Sequence, residues 1–175
     1  MRDSTPLKAP SLLYTPEEKR RRDGTRWTLV QGILAPVQFL VFLVSAVLVL
    51  RYLATGDGYA IATVSVLVKT GFLYLIMITG AIWEKVVFGQ YLFAPAFFWE
   101  DVFSFGVIAL HTAYLIGLYV GIPGPTGLML LALAAYVAYV INAGQFLLKL
   151  RAARLQAEAV AGQSSDAAPA GGVMA

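Results

Sequence analysis

Four long apolar stretches alternate with short polar breaks along the chain, and each is long enough to form a membrane-crossing helix. The first runs from about Trp27 to Leu50, with no charge until Arg51. At 1.5 Å per residue it crosses a hydrocarbon core of about 30 Å. Gly56-Asp57-Gly58 makes a tight turn, and the second stretch follows from about Ala60 to Trp83, interrupted by one charge, Lys69. The third begins at Glu100 and Asp101 and ends near Gly121; the fourth runs from about Leu128 to Leu148. Between them, residues 121–127 (GIPGPTG) hold two prolines and three glycines, which cannot continue a helix.

Residues 1–26 are polar and form a basic arm. No small-residue cleavage site follows a short apolar core, so the arm does not read as a signal peptide. Within it, Thr15 as cap, Pro16 at the first helical position and Glu18 three after the cap predict a short helix. Its basic end either rests on anionic headgroups or is a solvated arm that sets topology. The arm carries seven of the thirteen Lys and Arg residues, and Lys149, Arg151 and Arg154 follow the fourth stretch. The loop after the first stretch has only Arg51, and the loop after the third has none. The positive-inside rule then puts both termini in the cytoplasm, with an even number of crossings. The expected fold is an all-α integral membrane protein, a four-transmembrane-helix bundle spanning residues 27–155. Residues 156–175, rich in Ala, Gly and Ser, are expected to be a disordered tail.

Composition narrows the function. Of 175 residues, 59% are apolar and 13% charged, with a mean hydropathy of +0.73. That excludes a soluble nucleic-acid binder, a disordered regulator and an ordinary cytosolic enzyme. With no cysteine, thiolate nucleophiles and Cys-ligated metal sites are excluded within the chain. A single histidine likewise excludes a His-x-x-His metal site.

The segment joining the second and third stretches, residues 85–99, is unusual for a loop. Six of its fifteen residues are aromatic: Phe88, Tyr91, Phe93, Phe97, Phe98 and Trp99. Gly89 and Pro95 oppose a crossing helix, so the segment reads as re-entrant or interfacial, the plain alternative being an aromatic belt. Helical spacing also groups the polar residues. Glu100, Ser104 and His111 share one stripe, and Asn142, Gln145 and Lys149 another. Lys69 aligns with Trp83 and Glu84, and Gln31 with Gln38. Such stripes face each other rather than lipid, as interhelical glue or as a site. For Lys69 the plain alternative is snorkelling to the periplasmic face. Glu84-Lys85 and Glu100-Asp101 bracket the aromatic segment. Adjacent carboxyls in an apolar setting keep a proton available for donation, whereas helix capping at the start of the third span would favour their ionised form.

The segments WTLVQGILAPVQFL (27–40), AIWEKVVFGQYLFAPAFFWED (81–101), HTAYL (111–115) and YVINAGQFLLKLRAAR (139–154) resemble the 2-vinyl bacteriochlorophyllide hydratase family. The similarity covers roughly residues 12–155, and the central block is compositionally odd. The resemblance implies an enzyme of bacteriochlorophyll biosynthesis in a bacterial inner or photosynthetic membrane. It would hydrate the C3 vinyl group of chlorophyllide a, or of a related chlorin or bacteriochlorin, to a 1-hydroxyethyl group. No cofactor is expected, since the substrate carries its own magnesium, and neither is nucleic acid. Contacts with other enzymes of the pathway and a homo-oligomer fit the same picture.

Vinyl hydration needs a proton donor, a base for the incoming water and a pocket that orients a flat ring. In this reading Glu100 is the acid, with Glu84 or Asp101 positioning the water. His111 is an axial ligand to the substrate magnesium or a proton relay. Trp83, Phe88, Tyr91, Phe97, Phe98 and Trp99 wall the ring, with Asn142 and Gln145 on the facing stripe. Lys85 or Lys149 pairs with the propionate. The competing class is a non-catalytic tetrapyrrole carrier, which would not need paired acids, or an assembly subunit, which would need a broad exposed partner face.

Overall fold

The computed structural model describes residues 13–166, so residues 1–12 of the arm and 167–175 of the tail lie outside the described residues. Helix α1 (Pro16–Gly24) starts as the arm's sequence predicts. The Glu18 N–H donates to the Thr15 hydroxyl at 3.2 Å, and the Thr15 N–H donates to the Glu18 carboxylate at 2.7 Å. Two of the helix's orphan donors are thereby satisfied. Four longer helices follow: α2 (Arg26–Thr55), α3 (Tyr59–Phe88), α4 (Phe98–Val120) and α5 (Pro125–Asp166). Each is long and apolar enough to cross a membrane, α5 over its Pro125–Gln156 portion.

Three boundaries differ from the sequence reading. Helix α3 runs past Trp83 to Phe88, so Glu84, Lys85 and Phe88 stand on its last turns and the joining segment shrinks to residues 89–97. Helix α4 begins at Phe98, which puts Glu100 and Asp101 in its first turn. Helix α5 continues to Asp166, beyond the expected start of a disordered tail at residue 156. Loss of hydropathy does not end a helix there, because Ala, Gln and Glu are strong helix formers.

The bundle consists of two antiparallel hairpins, α2 with α3 and α4 with α5, joined chiefly where α2 meets α5 and α3 meets α4. Polar side chains tie these seams. Within the first hairpin Gln31 donates to Thr79 at 2.7 Å and the Trp83 indole donates to Thr28 at 2.9 Å. The Ser45 hydroxyl bonds Ser65 within the first hairpin and the Tyr136 phenol across to the second, and Tyr74 bonds Thr112 across the hairpins. The opposite faces are apolar and exposed, as with Leu29, Ile33, Leu40 and Val44 on α2. This arrangement suits a lipid solvent, in which polar groups turn inward.

The turn between α4 and α5 depends on Gly117. A Cβ there would stand 2.7 Å from the Ile122 carbonyl oxygen and 3.0 Å from Leu128 Cδ2. Backbone cannot move aside cheaply, so Gly117→Ala is expected to destabilise the bundle by about 1–3 kcal/mol despite alanine's better helix propensity. Gly106→Ala, with nothing within 4 Å of the new methyl, should not lower stability. Unfolding midpoints of the two variants in the same detergent measure the difference.

Candidate active site

The end of α3, residues 89–97, the start of α4 and residues 142–149 of α5 converge at one end of the bundle. Glu84 and Asp101 are both buried there, side by side beneath two successive N–H groups of the joining segment. The joining segment closes over them. The Phe93 N–H donates to Asp101 at 2.7 Å and the Ala94 N–H donates to Glu84 at 3.3 Å. Phe93 holds a left-handed backbone (φ 58°), costly for a residue with a Cβ. Two successive N–H groups aimed at two carboxyls compensate for that strain.

Glu100 has a different partner. Consecutive helix residues point about 100° apart, so Glu100 turns toward α5 while Asp101 turns toward α3. Lys149 donates to the Glu100 carboxylate at 2.6 Å, forming an ion pair between α4 and α5. One turn further in, Asn142 donates to the Ser104 hydroxyl at 2.8 Å. Asn142 Oδ1 and Gln145 Oε1 are buried without a hydrogen-bond partner among the described residues.

The aromatic residues of the expected wall divide. Phe97 is buried at the hub of a cluster with Trp83 (5.8 Å between ring centroids), Phe88 (5.9 Å), Phe146 (5.9 Å) and Tyr14 (6.3 Å). Tyr91, Phe98 and Trp99 point outward instead, with Trp99 67% exposed. Lys85 is also exposed and donates to the Gly89 carbonyl at 2.7 Å, closing the end of α3. Lys149, besides pairing with Glu100, lies 5.1 Å from the Phe97 ring centroid.

Sequence reasoning did not pick out Phe146 or Tyr14. Both carried a signal: Phe146 lies on the Asn142–Lys149 stripe, and Tyr14 directly precedes the Thr15 cap, where an apolar residue staples a helix to its neighbour.

His111 sits deeper, fully buried on α4, its ring 6.0 Å from that of Tyr136. Its Nδ1 lies 2.9 Å from the Val107 carbonyl oxygen. A carbonyl only accepts, so the proton is on Nδ1 and the lone pair on Nε2, which has no partner among the described residues. Lys69 does not snorkel; it too is fully buried, with Nζ 3.9 Å from the Tyr139 ring centroid.

The profile of the 2-vinyl bacteriochlorophyllide hydratase family matches residues 14–152. A 2-vinyl bacteriochlorophyllide hydratase of Cereibacter sphaeroides is 70% identical over 160 residues, covering 91% of this chain and 99% of that protein. The protein of the same name in Rhodobacter capsulatus is 73% identical over 145 residues, covering 83% of this chain and 84% of that one. No solved structure matches. With a family match over most of its length and relatives this similar, the chain belongs to the 2-vinyl bacteriochlorophyllide hydratase family of enzymes.

Proposed function

We propose that the chain hydrates the C3 vinyl group of chlorophyllide a, or of a related vinyl-bearing chlorin or bacteriochlorin, to a 1-hydroxyethyl group. The observation that carries the mechanism is the placing of the buried Glu84 and Asp101 carboxyls side by side under the successive Phe93 and Ala94 N–H groups. In this reading the two neighbouring buried carboxyls hold one proton between them, and it is given to the terminal CH2 of the vinyl. The resulting cation lies on the carbon attached to the macrocycle, where conjugation spreads its charge. Water adds at that carbon, and its surplus proton returns to the carboxyl pair. The pair ends as it began, and the substrate has gained one water. Glu100, read from the sequence as the acid, has its carboxylate engaged by Lys149, so the donor role goes to the Glu84–Asp101 pair.

The Phe97 cluster supplies an apolar, aromatic surface beside the acids for a flat ring to stack on. The magnesium belongs to the substrate. The His111 Nε2 lone pair is chemically able to ligate it, but Asp101 and His111 are separated by ~15 Å of helix. The vinyl lies only half a ring from the metal, so a ring with its vinyl at the acid pair does not place its magnesium at His111. In this reading His111 meets the far edge of the ring. The charge asymmetry of the termini supports a multi-pass arrangement in a bacterial inner membrane with the acid end toward the cytoplasm.

The test is to incubate membranes containing the protein with chlorophyllide a in oxygen-18 water. A product heavier by one labelled water is expected. Pigment binding with no change in mass would overturn catalysis in favour of a carrier.

A further inference from the structure

Lys69 has no part in the chemistry above, and nothing around it accounts for its burial. It is fully enclosed, and its Nζ has no hydrogen-bond partner among the described residues. The Tyr139 ring face can attract the ammonium but satisfies at most one of its three N–H donors. The bundle's carboxylates Glu84, Glu100 and Asp101 are engaged with other partners at the acid end. Beside Lys69 stands a second unpartnered group, His111 Nε2, since Tyr136 and Tyr139, which the two side chains approach, are one turn apart on α5. Buried donors without acceptors are rare and usually await a ligand or a water.

We propose that Lys69 is a substrate-binding residue whose side-chain nitrogen hydrogen-bonds an oxygen on the macrocycle edge away from the vinyl. The proposal rests on the reading of Glu84 and Asp101 as the vinyl end of the site. The rise from Asp101 to His111 on α4, and from Tyr139 to Lys149 on α5, is ~15 Å in each case. That is the scale of a whole macrocycle. A ring with its vinyl at the acid pair therefore presents its opposite edge to Lys69. In chlorophyllide a that edge carries the ring ketone and, beside it, the propionate carboxylate. Both are acceptors, which is what Lys69 lacks. Between the two ends stand Ser104 and Asn142, buried and bonded to each other at 2.8 Å, so seating the ring there requires α4 and α5 to part at this contact.

The experiment is equilibrium binding, followed by pigment fluorescence with purified protein in nanodiscs. Three probes are used: chlorophyllide a, its analogue with the ring ketone reduced to methylene, and its propionate methyl ester. Lys69→Met keeps the apolar stem and removes the donors. It should bind chlorophyllide a about 10- to 100-fold more weakly than the unaltered protein does. The same substitution should leave affinity for one analogue unchanged. An unchanged deoxo analogue identifies the ketone as the acceptor, and an unchanged ester identifies the carboxylate. Retained binding of that analogue also shows that the variant is folded. Equal weakening of all three probes, or of none, overturns the proposal and leaves Lys69 a packing residue, satisfied by water or by Tyr139. Hydration leaves the ketone and the propionate unchanged, so the comparison among the probes holds whether or not the vinyl is hydrated during the measurement. Failure of the acid-pair reading would show instead as normal hydration in Glu84→Gln.

Discussion

Glu84→Gln and Asp101→Asn are each expected to slow hydration by about 10²- to 10⁴-fold while leaving pigment affinity within a few-fold of the unaltered protein. Both amides retain an oxygen that can accept the Ala94 or Phe93 N–H, so the joining segment stays closed over the site. What they remove is the exchangeable proton. An amide beside a carboxylate donates a hydrogen bond but cannot release a proton to a vinyl carbon. The loss should therefore fall on kcat, with little change in KM, because the missing interaction belongs to the transition state. Losses from the two single variants should not add in the double variant, since either one destroys the same shared proton. Single-turnover assays with chlorophyllide a check each point. Unimpaired turnover in Glu84→Gln, or a much larger loss in Glu100→Gln than in either variant, would move the donor away from this pair.

Breaking the Glu100–Lys149 pair should produce the largest stability effect among the charged residues. Glu100 is buried and Lys149 is partly open to its surroundings, with side-chain exposures of 10% and 26%. The cost of removing one partner should accordingly lie between that of a surface pair and that of a wholly buried one, about 2–3 kcal/mol. In Glu100→Gln the ammonium loses its anion; in Lys149→Met the buried carboxylate is left without its cation. The double variant should recover most of the loss, because the remaining groups are neutral and close in size. Denaturation in a fixed detergent gives the coupling energy from the four proteins. A value below about 0.5 kcal/mol would mean that the contact does not hold α4 to α5.

The two effects separate two acids that adjoin each other in sequence. Read linearly, Glu100 and Asp101 form a pair, and like-charge repulsion between them is the natural argument for a retained proton. A helix turns consecutive residues apart, so each took its partner from another element: Lys149 on α5 for one, Glu84 on α3 for the other. Linear adjacency thus identified both acids and mispaired them. The aromatic residues 88–99 divide for a similar reason. Composition marked the segment as unusual, but the end of α3 at Phe88 and the left-handed turn at Phe93 set which rings face inward. Of these rings only Phe88 and Phe97 joined the inward cluster, with Phe97 at its hub against Trp83 and Phe146.

Lys69 shows the same limit more sharply. Its depth in an apolar stretch is visible in the sequence, and a long side chain there can either reach the interface or stay inside. Which occurs depends on whether neighbouring helices leave it a path outward. Here Tyr139 of α5 lies against its nitrogen, and the side chain is enclosed.

The amino-acid sequence alone determined the four apolar helices, the capped arm before them and the polar stripe on each. Hydrocarbon thickness and helical period are read from consecutive residues and need no partner. Tertiary packing alone decided which stripes meet, and therefore that Asp101 adjoins Glu84, that Glu100 is neutralised by Lys149 and that Lys69 is sealed beside His111. The physical reason is that helix rotation and inter-helix register are set by the fit of whole surfaces, to which residues far apart in the chain contribute together.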